Sequence, residues 1–154
     1  MFYYIEKDGE IMTFEESKEN LKKALDFMPQ YQNLEIFETE KEIVNFEGKL
    51  YFKEDIQEEL EQQEKERIAK LYLTGADVER GIYQAKGMDF DDILAFVSAN
   101  PPEGLDIKAL KIELKANHFY RGNAYVSAIG KLLGFSEKQL DKFFETGNYE
   151  NLLA

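Results

Sequence analysis

Asp89, Asp91 and Asp92 place three carboxylates within four residues. Hard cations such as calcium and magnesium take oxygen sets of this kind. A calcium loop starting at Asp89 would need glycine at its sixth position and glutamate at its twelfth, where this chain has Leu94 and Asn100. The same three acids suit a helix N-terminus, capping free amides and meeting the positive end of the helix dipole, and that is the expectation here. His118 is the one histidine, and the chain has no cysteine. Zinc binding and acid–base catalysis usually need a partner, and no second histidine and no cysteine exists here. Glu113 could orient His118, but its neighbours Phe119 and Tyr120 predict a packed structural turn. Gly130-Lys131 has the ending of a phosphate loop, yet the position five before Gly130 is Tyr125, and Leu132 stands where Ser or Thr is required. No nucleophile elbow, no His-Glu-x-x-His and no dinucleotide fingerprint occurs. The sequence therefore predicts no catalytic residue, no cofactor and no metal.

Two constellations remain. Phe119-Tyr120-Arg121-Gly122-Asn123 reads as an ordered helix–helix corner and is the candidate interaction or structural site. Arg121 can form a bidentate pair with a carboxylate, and Gly122 suggests a backbone angle that other residues resist. Residues 129–144 have the outline of a helix-turn-helix, with a glycine in the turn and a capped second helix. Lys138, Gln139 and Lys142 would be its DNA-reading donors, offset by Glu137, Asp141 and Glu145. Any two small packed helices give the same outline.

Charge narrows the partners. The 154 residues hold 31 acidic and 19 basic side chains, a formal net charge of −12. Acidity is densest on residues 54–70, which carry seven acids and three bases. Such a surface repels phosphate backbones, so no nucleic-acid partner is expected. Hydrophobic content of 44%, including 12 Phe and 9 Tyr, is enough for a packed core. The absence of cysteine fits a reducing cytoplasm and equally a virion. No run of about 18 apolar residues exists to span a membrane, and the first ten residues lack the basic and apolar regions of a signal peptide.

The elements that must hold these residues can be read in outline as an α+β chain. It comprises a small N-terminal α/β unit (1–53), a connecting helix (54–70) and a C-terminal bundle of short helices (71–154). Apolar residues 2–5 and 11–14 flank Asp8-Gly9, a hairpin signal. Thr13 and Glu16 have capping-box spacing for a helix carrying Leu21, Ala24, Leu25 and Met28 and ended by Pro29. Residues 34–37, 43–46 and 49–52 read as strands, the last two joined by Glu47-Gly48. Residues 54–73 read as one long helix. Its middle, 61–66, has no apolar residue, so it cannot lie in a core and should bridge the two units or pair loosely with another copy. Beyond it, Thr74, Asp89, Asp106, Asn123 and Ser136 are expected helix N-caps, with a helix at 107–117 and glycine stops at Gly87, Gly134 and Gly147.

Residues 66–97 and 119–144, the latter with Tyr-Arg-Gly-Asn, Ile-Gly, Leu-Gly and Gln-Leu-Asp before Phe-Phe, resemble small proteins encoded in the tail and late structural gene module of Gram-positive tailed phages and prophages. Residues 45–53, Asn-Phe-Glu-Gly-Lys-Leu-Tyr-Phe-Lys before a Glu/Gln-rich helix, are similar to the start of small tail-module proteins. The resemblance implies a non-enzymatic minor virion component or tail assembly factor, working by contacts with phage tail proteins, in the host bacterial cytoplasm or the virion. It brings no catalytic residue. An acidic inhibitor of a host nucleic-acid-binding protein is the alternative, and a helix-turn-helix-like DNA-binding regulator a further one. Weak self-association is compatible with the first reading.

Overall fold

The computed structural model describes residues 1–153. The chain is mixed α+β, with a strand sheet in its N-terminal part and helices following. It divides into two compact units, Met1–Gln62 and the chain from Gln63 onward. The boundary falls inside a helix, not at the ends of a separate connecting segment 54–70.

In the first unit, β1 (Phe2–Lys7) and β2 (Glu10–Glu15) form a hairpin. Asp8 and Gly9 turn it with φ of 54° and 82°, the left-handed pair that matches strand twist. Helix α1 (Lys18–Leu25) follows, then a 3-10 turn at Pro29–Tyr31, and β3 (Phe37–Thr39). A second hairpin joins β4 (Ile43–Phe46) to β5 (Lys49–Phe52). Its turn at Glu47 and Gly48 has φ of 52° and 83°, and Asn45 Oδ1 accepts from the Gly48 amide at 3.1 Å. The five strands order as β3-β1-β2-β5-β4. α1 packs on one face, where Ile5, Leu21 and Leu25 are buried with Tyr3, Met12 and Leu34 against them.

Three expectations are corrected here. Thr13 is a strand residue, and the N-cap of α1 is Ser17, whose hydroxyl accepts from Asn20 N. Hairpin pairing with Ile5 claims Thr13 for β2. Pro29 does not end α1, which stops at Leu25; it opens the 3-10 turn, where its missing N–H costs nothing. The third strand is Phe37–Thr39, later than 34–37, because Leu34 and Ile36 are drawn into the core beneath the sheet.

The expected helix over 54–73 is also revised. Lys53–Ile56 is a 3-10 turn, and α2 covers Gln57–Ala69. Residues 61–66 are helical and exposed throughout. Tyr72–Thr74 is a strand, β6, pairing antiparallel with β7 (His118–Tyr120). That partner lies some 46 residues away in sequence, so local helix propensity could not reveal it.

The second unit continues with α3 (Gly75–Lys86), α4 (Phe90–Ala99), α5 (Ile107–Glu113), α6 (Ala124–Leu132), α7 (Glu137–Thr146) and a terminal 3-10 turn, Tyr149–Leu152. Thr74, Asp89, Asp106, Asn123 and Ser136 cap these helices, and Gly87 and Gly147 close α3 and α7 in the left-handed conformation. α5 ends at Glu113 and not at 117, since Asn117 instead gives its carbonyl to Gly75 N beside the ribbon. One core holds Ile93, Val97, Leu110, Phe119, Leu140, Phe143 and their neighbours, each buried. No helix among the described residues is long and apolar enough to cross a membrane.

Candidate functional site

Residues 119–123 do not form a helix–helix corner. They are the end of β7 and the turn into α6. Strand alternation sends Phe119 inward, where it is buried and its ring lies 5.7 Å from that of Phe90. It sends His118 and Tyr120 outward. Backbone pairing continues past the strand, with Arg121 N donating to Leu71 O at 2.8 Å and Gly122 N to Ala69 O at 3.0 Å. This ladder holds the turn against the C-terminal end of α2.

Arg121 is the one buried charged residue among the described residues, its side chain only 8% exposed. Its Nε donates to Asp141 Oδ1 at 2.8 Å and its Nη1 to Ser127 Oγ at 2.9 Å. Its Nη2 donates to the Glu137 carboxylate and to Glu137 O. The expected bidentate pair with one carboxylate is thus replaced by a fork spread over two, both on α7. A guanidinium suits this role because its donors leave a rigid plane in several directions. Ser127 lies on α6, so one side chain ties β7, α6 and α7 together. Its hydrogen bond holds the Glu137 carboxyl below the ordinary value of 4.5, outweighing the opposing effect of partial desolvation. With four bonds made and little surface showing, Arg121 has scant capacity left to bind an anion.

Gly122 does not take a positive φ, contrary to expectation; it serves a close approach. A Cβ there would stand 2.9 Å from Ala69 Cβ and 3.0 Å from Ala69 O. Asn123 caps α6 by accepting from Tyr125 N at 2.9 Å, and its amide donates to Glu113 Oε2 at 3.1 Å, joining α5 to α6. Glu113 is therefore occupied with Asn123. His118, expected in a packed turn, is exposed, its ring 5.3 Å from Tyr72. Tyr120 lies 5.7 Å from Tyr72, and both are more than half exposed.

The remaining sequence candidates have structural duties. Asp89 and Asp92 form a reciprocal capping box on α4. No group of three or more His, Cys, Asp or Glu side chains converges in metal-binding fashion among the described residues. Gly130 faces Leu140, and a Cβ would meet Leu140 Cδ1 at 2.5 Å, so the helix pair α6–α7 needs glycine for contact and not for phosphate. On α7, Gln139 is engaged with Ser136 N, and Glu137 and Asp141 with Arg121, while Lys138 and Lys142 point to solvent. The void among the core residues measures about 30 Å³, apolar and roughly the room of one water.

Sequence reasoning missed the β6–β7 ribbon and its outward aromatic trio of Tyr72, His118 and Tyr120. Alternation in Leu71-Tyr72-Leu73-Thr74 and His118-Phe119-Tyr120 was the available signal. The chain matches no protein-family model, no curated protein and no solved structure.

Proposed function

We propose that this chain is a non-enzymatic component of a phage or prophage tail module, a minor virion part or an assembly factor that acts through protein–protein contacts. The tail assignment rests on the sequence resemblance of residues 66–97 and 119–144. Support for contact with protein comes from large apolar and aromatic side chains held at the surface. Tyr72, Tyr83, Phe96, Ile112 and Tyr120 of the second unit are each at least 44% exposed. Aromatic side chains give interface area at low entropy cost. The residues of the candidate turn enter this reading as scaffold: Arg121 and Asn123 fix the ribbon that carries Tyr72 and Tyr120.

One observation favours the alternative of an acidic inhibitor. The first unit holds 17 acidic and 7 basic residues, a net of −10, against 14 and 12 in the rest. Such a concentration attracts basic proteins. DNA reading by α7 is less favoured: of its three expected donors Gln139 is engaged with Ser136 N, and the two free lysines, Lys138 and Lys142, stand on a chain of net charge −12. A pull-down of the tagged chain from induced lysogenic cells, run beside a gel shift on phage DNA, separates these readings. The tail reading expects a tail protein and no specific shift. A host nucleic-acid-binding protein recovered alone would move the assignment to the inhibitor, and submicromolar binding to a DNA site at physiological salt to the regulator.

A further inference from the structure

Strand alternation divides the first unit's sheet into two different faces. Tyr3 and Ile5 face α1. Phe2 and Tyr4 face the other way, and there Tyr4 stacks on Phe37 at 5.5 Å and meets Phe52 edge-on at 5.4 Å. Phe37 is 36% exposed, and Phe2, Tyr4, Phe14 and Phe52 are only half-buried. The two hairpins are joined weakly, β2 meeting β5 at the single register pair Ile11–Leu50. Where they diverge, a groove of about 320 Å³ opens between the two turns. Ile11, Leu50 and Phe52 contribute its apolar lining, and Glu6, Glu10 and Asp55 its carboxylates. Lys49 is the one cation of the groove, and it is paired with Glu10 at 3.0 Å. The rim is thus left net negative within a unit that carries −10 overall.

On the footing that the chain works through protein contacts, we propose that this groove and the adjoining aromatic face bind a basic, arginine- and valine-type extended segment of a partner protein. Charge selects the occupant. A second copy would bring an equally negative surface against this one, and a nucleic acid would bring phosphates. An arginine fits both features, pairing with Glu6 or Asp55 and laying its plane on an aromatic ring. One ring of this face already accepts a cation: Lys41 Nζ, paired with Glu54, sits 5.5 Å from the centroid of Phe52, which leaves Tyr4 and Phe37 for an incoming guanidinium. Burial is the main cause that pushes the Tyr4 hydroxyl above its ordinary value of 10; Glu6 adds to the shift and Lys41 opposes it. Alternate apolar residues of an extended partner would enter the lining.

The test is an NMR titration of the isotope-labelled full chain with a short synthetic peptide alternating arginine and valine. Controls are a glutamate–valine peptide and an oligolysine. Saturable shifts at physiological salt should map to Glu6, Ile11, Leu50, Phe52 and Asp55. The glutamate peptide should do nothing, and oligolysine should bind more weakly. The surface double variant Glu6→Gln with Asp55→Asn should keep the parent spectrum elsewhere and weaken the arginine peptide about fivefold, the effect of losing two exposed ion pairs. Shifts outside residues 1–62, no saturation, or an unchanged affinity in the double variant would overturn the proposal. Concentration-dependent dimerisation that perturbs the same residues would overturn it in favour of a second copy. No phage component enters the titration, so its failure is distinct from failure of the tail assignment.

Discussion

Replacing Arg121 by alanine tests how the second unit is held together. Arg121 makes two charge-assisted hydrogen bonds, one to a neutral hydroxyl and a long one to a backbone carbonyl. Bonds to charged groups contribute about 1.5–3 kcal/mol where both partners are desolvated. Breaking a buried pair can cost about 3–5 kcal/mol, because a charge is stranded without water. Here the stranded partners are not deeply buried: the Asp141 side chain is 36% exposed and that of Glu137 68%. Water replaces much of what they lose. The expected loss is therefore about 2–3 kcal/mol, below the full buried-pair figure. Arg121→Lys keeps one charge but loses the fork, and should cost about 1–2 kcal/mol. Because the chain has two units, a single unfolding curve can mix transitions. Urea denaturation should be followed by circular dichroism together with amide exchange in β7, α6 and α7. Faster exchange should appear in those elements and leave β1 and β2 unchanged. A cost under about 0.5 kcal/mol for Arg121→Ala, or an effect spread equally over both units, would refute the clasp.

Phe143, only 1% exposed at the centre of the core, should lose about 3–5 kcal/mol on replacement by alanine, seen as a lower urea midpoint for the second unit. Gly81 lies against the Phe143 ring, where an added Cβ would overlap it; Gly81→Ala gains helix propensity of about 1 kcal/mol but should still be destabilising by about 1–3 kcal/mol through overpacking. Gly122→Ala should loosen the β6–β7 ribbon, read as faster exchange of the Arg121 and Gly122 amides, because Ala69 backbone stands in the way. Arg121 lowers the Glu137 carboxyl below 4.5, so its stabilisation is complete above that value and is lost as pH falls through the lowered folded-state value. Glu137→Gln should therefore flatten the acid limb of a stability–pH curve, while a curve parallel to the parent's would contradict the pairing.

Local signals carried much of the second unit. Each expected cap from Thr74 to Ser136 is a short-range pattern, complete within four residues, and each forms. The buried positions of Ile129, Leu140 and Phe143 follow helix periodicity in the same way. What escaped were features set by distant partners. β6 and β7 are three residues each, so their alternation is too brief to outweigh the helix pattern running into Tyr72, and it is pairing across the chain that makes them strands. Arg121 announced a carboxylate partner, but neither the two-way split nor its burial between helices is written in Arg-Gly-Asn. Gly122 and Gly130 look in sequence like turn or phosphate-loop glycines, whereas each is required by a neighbour's bulk. In the first unit, Thr13 had the capping-box spacing, yet distant strand pairing claims it and Ser17 caps α1 instead.

Quantitative mass spectrometry of purified virions and tail assembly intermediates, from a lysogen carrying this gene, addresses the tail-module role most directly. The account predicts the chain at a fixed ratio to a tail protein in the virion, or in an intermediate that precedes it. Its absence from both, with the chain recovered instead on a host protein or on a specific DNA site, would contradict the account.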